Sequence, residues 1–272
     1  MKKIICPTDF SKPALNATAY AAKFAHAIGA QLTLFHVQSL VEKLPAELIG
    51  GVSLTDSEYK TELEKQSFEI SRTFKISCYS EVVPLSSSVA KTIAERANTF
   101  DLLIMGTRAD HGLFQFLTGS NTYRAVRDTK VPTLVVPPGC LYSEIKSIVF
   151  GFDYLRERRL PIAQLVPFVQ ILNAELTVLQ VMEKAHSLDM EDDLHELQLM
   201  LTEKYSDKIK FRFDEVRSSA VASSINTYVS ENQPDVLAMC SIHHNFPEKL
   251  FHKSVFKDLS VVAKYPVFVF HE

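Results

Sequence analysis

Glycine is scarce in this chain: 8 of its 272 residues are glycine, and one of those, Gly151, lies beyond residue 139. A loop that wraps backbone amides around a phosphate needs residues without a Cβ, so the second half is expected to build no such loop. Cysteine is scarcer still. Cys6, Cys78, Cys140 and Cys240 show no C-x-x-C spacing, which argues against a metal clasp or a disulfide framework; they read as free thiols of a reducing cytoplasm. No apolar run approaches the roughly 20 residues that span a bilayer. The stretch Ile4-Ile5-Cys6-Pro7 behind Met1-Lys2-Lys3 is too short for a secretory signal and predicts a first strand. A net charge of -3 supplies no attraction for nucleic acid. Neither a G-x4-G-K-[ST] loop nor a G-x-S-x-G elbow occurs, which removes the P-loop NTPases and the commonest nucleophilic hydrolases. The 46% hydrophobic and 22% charged content is that of a soluble globular protein, expected to touch neither membrane nor nucleic acid.

What is present is present twice. Lys3-Ile4-Ile5-Cys6-Pro7-Thr8-Asp9-Phe10 returns 144 positions later as Ser147-Ile148-Val149-Phe150-Gly151-Phe152-Asp153-Tyr154. Ala30-Gln31-Leu32-Thr33-Leu34 returns at the same interval as Ala174-Glu175-Leu176-Thr177-Val178, and Asp101-Leu102-Leu103-Ile104-Met105 returns 134 positions later as Asp235-Val236-Leu237-Ala238-Met239. Ordered matches with one change of interval predict a duplicated domain, residues 1–138 and 145–272, joined by a linker over 137–143. Comparing the copies separates the needs of the fold, which both keep, from those of a site, which one can lose.

Within the first copy, short apolar runs alternate with helical spacing. Residues 2–8 predict a strand; Ala14, Ala17, Ala21, Phe24, Ala25 and Ile28 mark one helical face, closed by Gly29 where a left-handed residue is wanted. Further strands are expected over 32–37, 77–83, 102–105 and 133–136, with helices over 56–74 and 87–98. Continuously apolar strands alternating with helices predict a parallel sheet covered on both faces. The expected fold is therefore α/β, with two tandem doubly wound five-stranded sheets. Ligands of such sheets lie beyond the carboxyl ends of the strands, where strand order reverses, which singles out Asp9 after strand one and Gly106 after strand four.

After strand four the chain reads Met105-Gly106-Thr107-Arg108-Ala109-Asp110-His111-Gly112, and continues to Gly119-Ser120-Asn121-Thr122. Glycines at 106, 112 and 119 let backbone amides approach a polyphosphate, and Gly119-Ser120 opens a helix whose positive dipole end favours one. These residues resemble the universal stress protein family, whose nucleotide-binding members carry G-x2-G-x9-G-[ST] after strand four and an aspartate after strand one. Gly106 and Gly119-Ser120 stand 13 apart, as the motif requires, and Pro7-Thr8-Asp9-Phe10-Ser11 resembles the family's opening. Residues 131–136 are similar to its closing strand. The motif's middle glycine is Ala109 here; where its backbone needs a positive φ, alanine costs on the order of 1 kcal/mol.

The resemblance runs once through each half and implies a tandem universal stress protein of adenine nucleotide hydrolase-like fold. Its implied ligand is ATP or ADP, with or without Mg. Asp9 would contact the ribose or adenine and the backbone around Val37 the adenine. The amides of Gly119 and Ser120 would hold phosphates, helped by the hydroxyls of Ser120 and Thr122. Pro7, Thr8, Met105, Gly106, Ala109, Gly112 and Asn121 complete the implied set, and Arg108 adds charge by its position. The resemblance also implies a pseudo-dimer within the chain, through residues 132–136 and 266–270, and leaves a homodimer of chains and an unidentified protein partner open. A regulatory role in the cytoplasm is expected, with at most slow ATP hydrolysis. The rival expectation is a nucleotide-free interaction module with both sites degenerate. A hydrolase of the related folds is disfavoured because no S-G-G-x-D-S loop follows strand one.

The second copy is the internal control. At the 134 interval Gly106 becomes Cys240, Ala109 becomes His243, Gly112 becomes Phe246 and Gly119 becomes Lys253, while Ser120 survives as Ser254. Asp153 stands opposite Asp9 and Leu155 opposite Ser11. This copy is expected to serve packing or partners. Cys6 falls opposite Phe150 and Cys78 opposite Arg212. His36 reads as a satisfied core histidine, His111 as a residue of the cradle loop for which approach to a phosphate is the lesser of two readings, and His243, His244 and His252 as a surface loop rather than metal ligands. The acidic run over 189–193 reads as a helix start, and Phe246, Phe251 and Phe256 as core first, with a partly exposed partner surface as the alternative.

Overall fold

Strand β1 (Lys3–Pro7) is buried at every residue but Lys3, as a continuously apolar strand in a sheet covered on both faces must be. The computed structural model describes residues 2–38, 56–107, 121–152, 162–182, 188–218, 221–241 and 264–271. The described residues form two compact units, the first ending at Tyr142 and the second beginning at Ser143.

In the first unit β1 is followed by α1 (Lys12–Ile28), β2 (Gln31–Gln38), α2 (Asp56–Phe74), β3 (Cys78–Pro84), α3 (Val89–Ala97), β4 (Leu102–Gly106), α4 (Asn121–Asp128) and β5 (Thr133–Val136). Every described pairing is parallel, in the order β3-β2-β1-β4-β5. Strand order therefore reverses between β1 and β4. The inner face of α1 is mostly alanine, with Ala14, Ala17, Ala21, Ala25 and the larger Phe24 all buried, so the helix can lie close on the sheet. Gly29 ends it at φ 66°, the left-handed conformation that glycine adopts without strain.

The second unit repeats the winding: β6 (Ser147–Phe152), α5 (Ile162–Leu172), β7 (Glu175–Met182), α6 (Leu188–Tyr205), β8 (Lys210–Arg217), α7 (Val221–Asn232), β9 (Val236–Ser241) and β10 (Val267–His271). Its strand order is β8-β7-β6-β9-β10, again parallel. Both units are doubly wound α/β sheets.

What both copies keep has a visible structural task. Asp101 accepts the amides of Lys2 and Lys3 at 2.6 and 3.0 Å, and Asp235 accepts those of Lys146 and Ser147 at 2.8 and 2.9 Å. Each carboxylate ties the start of its unit's first strand to the strand beside it. Where Gly29 closes α1, Asn173 closes α5 at φ 51°; asparagine is the side chain that best tolerates this region.

The register corrects one sequence expectation. Leu32 pairs with Cys78 and Leu176 with Phe211, so Phe211, not Arg212, stands opposite Cys78. Side-chain alternation enforces this. Cys78 and Phe211 are both half-buried while Tyr79 and Arg212 are both exposed, and a slip of one residue would turn each strand inside out. The 134 interval holds for the later strands, where Ile4 pairs with Leu102 and Ile148 with Val236.

Candidate functional site

Three strand ends and three helix starts of the first unit converge on a cavity of about 380 Å³. The end of β1 and the turn after it supply Pro7, Thr8, Asp9 and Ser11; α1 supplies Pro13 and Ala14; β2 supplies His36 and Val37. Val89 and Ile93 of α3, Met105 and Gly106 of β4, and Asn121 and Thr122 of α4 complete the described wall. The cavity sits where strand order reverses, beyond the carboxyl ends of the strands, and is of a size that ordinary small-molecule clefts share.

Eight residues singled out from the sequence therefore meet: Pro7, Thr8, Asp9, Val37, Met105, Gly106, Asn121 and Thr122. Arg108, Ala109, His111, Gly112, Gly119 and Ser120 lie outside the described residues, as do Asp153, His243, His244, Phe246, Phe251, His252, Lys253, Ser254 and Phe256. Ser11, Pro13, Ala14, His36, Val89 and Ile93 also line the cavity and were not assigned to it. Helical spacing marks Ala14 as buried, but it does not say that it is buried against a cavity.

The turn from β1 to α1 is held from several sides. His36 is buried, and its Nδ1 donates to the Thr8 carbonyl at 2.8 Å; because a carbonyl only accepts, Nδ1 carries the proton. The imidazole stacks on Tyr59 at 4.6 Å between ring centres, and Phe10 packs against both rings. Thr8 Oγ1 accepts the Phe10 amide at 3.1 Å, and Asp9 Oδ1 accepts both the amide of Ser11, at 3.1 Å, and its hydroxyl. Phe10 itself sits at φ 59°, a left-handed conformation that costs a bulky residue on the order of 1–2 kcal/mol. The surrounding bonds hold it there.

On the opposite wall, a Cβ built on Gly106 would stand 2.5 Å from the Pro13 carbonyl oxygen and 2.9 Å from its carbon. Glycine is required there by the approach of α1, whereas the sequence suggested that its missing Cβ made room for a ligand. Thr122 Oγ1 donates to the Gly106 carbonyl at 3.1 Å. A hydroxyl has one proton, so while this bond stands Thr122 has none to offer a phosphate. Its role in this geometry is to join the start of α4 to the end of β4, in place of the expected phosphate contact.

Asp9 is the sole carboxylate among the described lining residues, which include neither lysine nor arginine. Val37, Val89, Ile93 and Met105 form an apolar part of the wall, and the first turn of α4 brings the positive end of its dipole. Among the described residues no group of three or more histidines, cysteines or carboxylates is placed to hold a metal ion. Cys6, next to Pro7, is fully buried. Burial pushes its thiol up to about 12, against the Thr18 hydroxyl and with the help of Cys78, which leaves it without nucleophilic character at neutral pH. Among the described residues no helix is long and apolar enough to cross a membrane.

A parallel sheet wound β3-β2-β1-β4-β5, with a cavity over its reversal point, defines a doubly wound α/β protein with room for a small ligand. The Universal stress protein family model matches residues 1–137, and the chain belongs to that family. A universal stress protein of Methanocaldococcus jannaschii is 29% identical over 143 residues, covering 50% of this chain and 81% of that protein. The crystal structure of a universal stress protein from Archaeoglobus fulgidus DSM 4304 matches with a TM-score of 0.71 at 16% identity, over 99% of this chain and 96% of that one, a likeness of fold.

Proposed function

We propose that the first unit binds an adenine nucleotide, ATP or ADP, with or without Mg, and that occupancy regulates what the protein presents to a partner in the cytoplasm. The supporting observation is the convergence of Asp9, Val37, Met105, Gly106, Asn121 and Thr122 on one cavity at the strand-order reversal. An apolar slot between Val37, Val89, Ile93 and Met105 suits a nucleobase. The Asp9 carboxylate suits hydroxyl or amino donors, because it only accepts. Phosphates would lie toward the start of α4, next in sequence to Gly119 and Ser120, with Arg108 and Gly112 expected to assist. Residues 106–122 then belong both to the site and to the surface a partner meets, so the nucleotide can act as a signal without being turned over.

Native mass spectrometry of the freshly purified chain, followed by calorimetric titration with ATP, ADP and AMP, tests this reading. Co-purifying nucleotide, or a saturable heat abolished by Asp9→Ala, is the expected result. No heat with any of the three sinks it. A turnover assay carrying Asp9→Ala as the contamination control separates binding from hydrolysis.

Ala109, at the motif's middle glycine, favours a second reading, a nucleotide-free interaction module. The same titration decides between them.

A further inference from the structure

Ser11 occupies the N-cap of α1 with the extended backbone of a capping residue, φ -67° and ψ 158°. A capping serine ordinarily accepts the amide of the second or third helical residue on its Oγ. The second residue here is Pro13, which has no N–H, and Ser11 makes no side-chain cap bond at all. Its hydroxyl donates to Asp9 Oδ1 instead, and its amide donates to the same oxygen at 3.1 Å. Both donors of one residue thus converge on one oxygen of the cavity's carboxylate.

We propose that Ser11 is a positioning residue of the ligand site: it holds the Asp9 carboxylate in the orientation that receives paired hydroxyl donors of the ligand's sugar. The inference rests on the nucleotide reading above. The backbone under this pair is fixed independently. The Thr8 carbonyl is bonded by His36 at 2.8 Å, the Phe10 amide by Thr8 Oγ1 at 3.1 Å, and Phe10 is kept at φ 59°. Strain of this kind persists where the surroundings over-determine it, and here it brings residues 9 and 11 face to face across the turn. With the backbone pinned, the two donors of Ser11 add two bonds that restrain the Asp9 carboxylate. A carboxylate oriented in advance loses less entropy when it closes on a ligand, so binding strengthens without any direct contact from Ser11.

The test compares ATP with 2′,3′-dideoxy-ATP on the full chain, for wild type, Ser11→Ala, Ser11→Thr, Asp9→Asn and the Ser11→Ala/Asp9→Asn double variant. Ser11→Ala is expected to weaken ATP about tenfold more than it weakens the dideoxy analogue, which lacks the hydroxyl pair, and Ser11→Thr to recover most of that difference. In the Asp9→Asn background the same serine change should add little, since residues acting as a unit are not additive. Equal losses for both nucleotides, an additive double variant, or wild-type discrimination by Ser11→Ala each overturn the proposal. Should Ser11→Ala fail to fold, the Ser11→Thr and Asp9→Asn measurements carry the same comparison, and a Ser11→Thr chain that no longer tells the two nucleotides apart overturns it. A wild-type chain that binds neither nucleotide overturns the nucleotide reading as well, whereas normal wild-type binding with an indifferent Ser11 overturns this inference alone.

Discussion

The carbonyl oxygen of Pro13 stands 2.5 Å from the place a Cβ on Gly106 would take, so the first turn of α1 and the end of β4 touch through the absence of a side chain. Gly106→Ala must push backbone against backbone, with no flexible group to yield. Overpacking of this kind costs about 1–3 kcal/mol, and thermal unfolding should move down by several degrees. Because Pro13 and Gly106 both line the cavity, nucleotide affinity should fall with it. An alanine variant with the wild-type midpoint would show that α1 gives way freely.

Two serines at helix starts should respond differently to alanine. Ser88 Oγ accepts the Lys91 amide at 3.3 Å and so caps α3; Ser88→Ala is expected to cost about 1 kcal/mol in urea unfolding. Ser11 makes no such bond, and Ser11→Ala should cost clearly less. Equal losses would mean that the Ser11 hydroxyl supports the helix rather than Asp9.

Asp101 ties stability to acid. Burial alone would raise its carboxyl, but the amides of Lys2 and Lys3, together with nearby positive charge, outweigh that and hold it below its ordinary value. A depressed folded value means the contribution is complete above the unfolded pKa, about 3.9, and is lost as pH falls through the lower folded one. Urea midpoints of wild type and Asp101→Asn should differ at pH 7 and converge in strong acid. A gap that stays constant over the whole range would refute the charge-based account.

Thiol labelling should follow burial. The Cys6 and Cys78 thiols are pushed up to about 12 by burial, and Cys140 is raised less far by the same cause. Brief iodoacetamide treatment near pH 8, read by peptide mass spectrometry, should label Cys140 ahead of Cys78 and leave Cys6 untouched until urea is added. Early labelling of Cys6 would mean that the core around β1 opens readily.

Period and composition made the doubled winding legible: apolar runs such as Lys3–Pro7, the alanine face of α1 and the recurrence of Asp101 as Asp235 are local patterns, and local patterns report which residues are buried and how often. They also singled out Asp9, Met105 and Gly106, which stand at strand ends that the winding brings together in the cavity wall. The use made of each residue depended on contacts between distant parts of the chain, which no local pattern records. Helix packing assigned Gly106 to Pro13, and sheet register set Phe211 opposite Cys78. The converging helix starts brought Val89 and Ile93 into the wall. The proline after Ser11 is local, but the partner its hydroxyl takes is decided by the turn that folds Asp9 back beside it, and that turn is held by His36 from another strand.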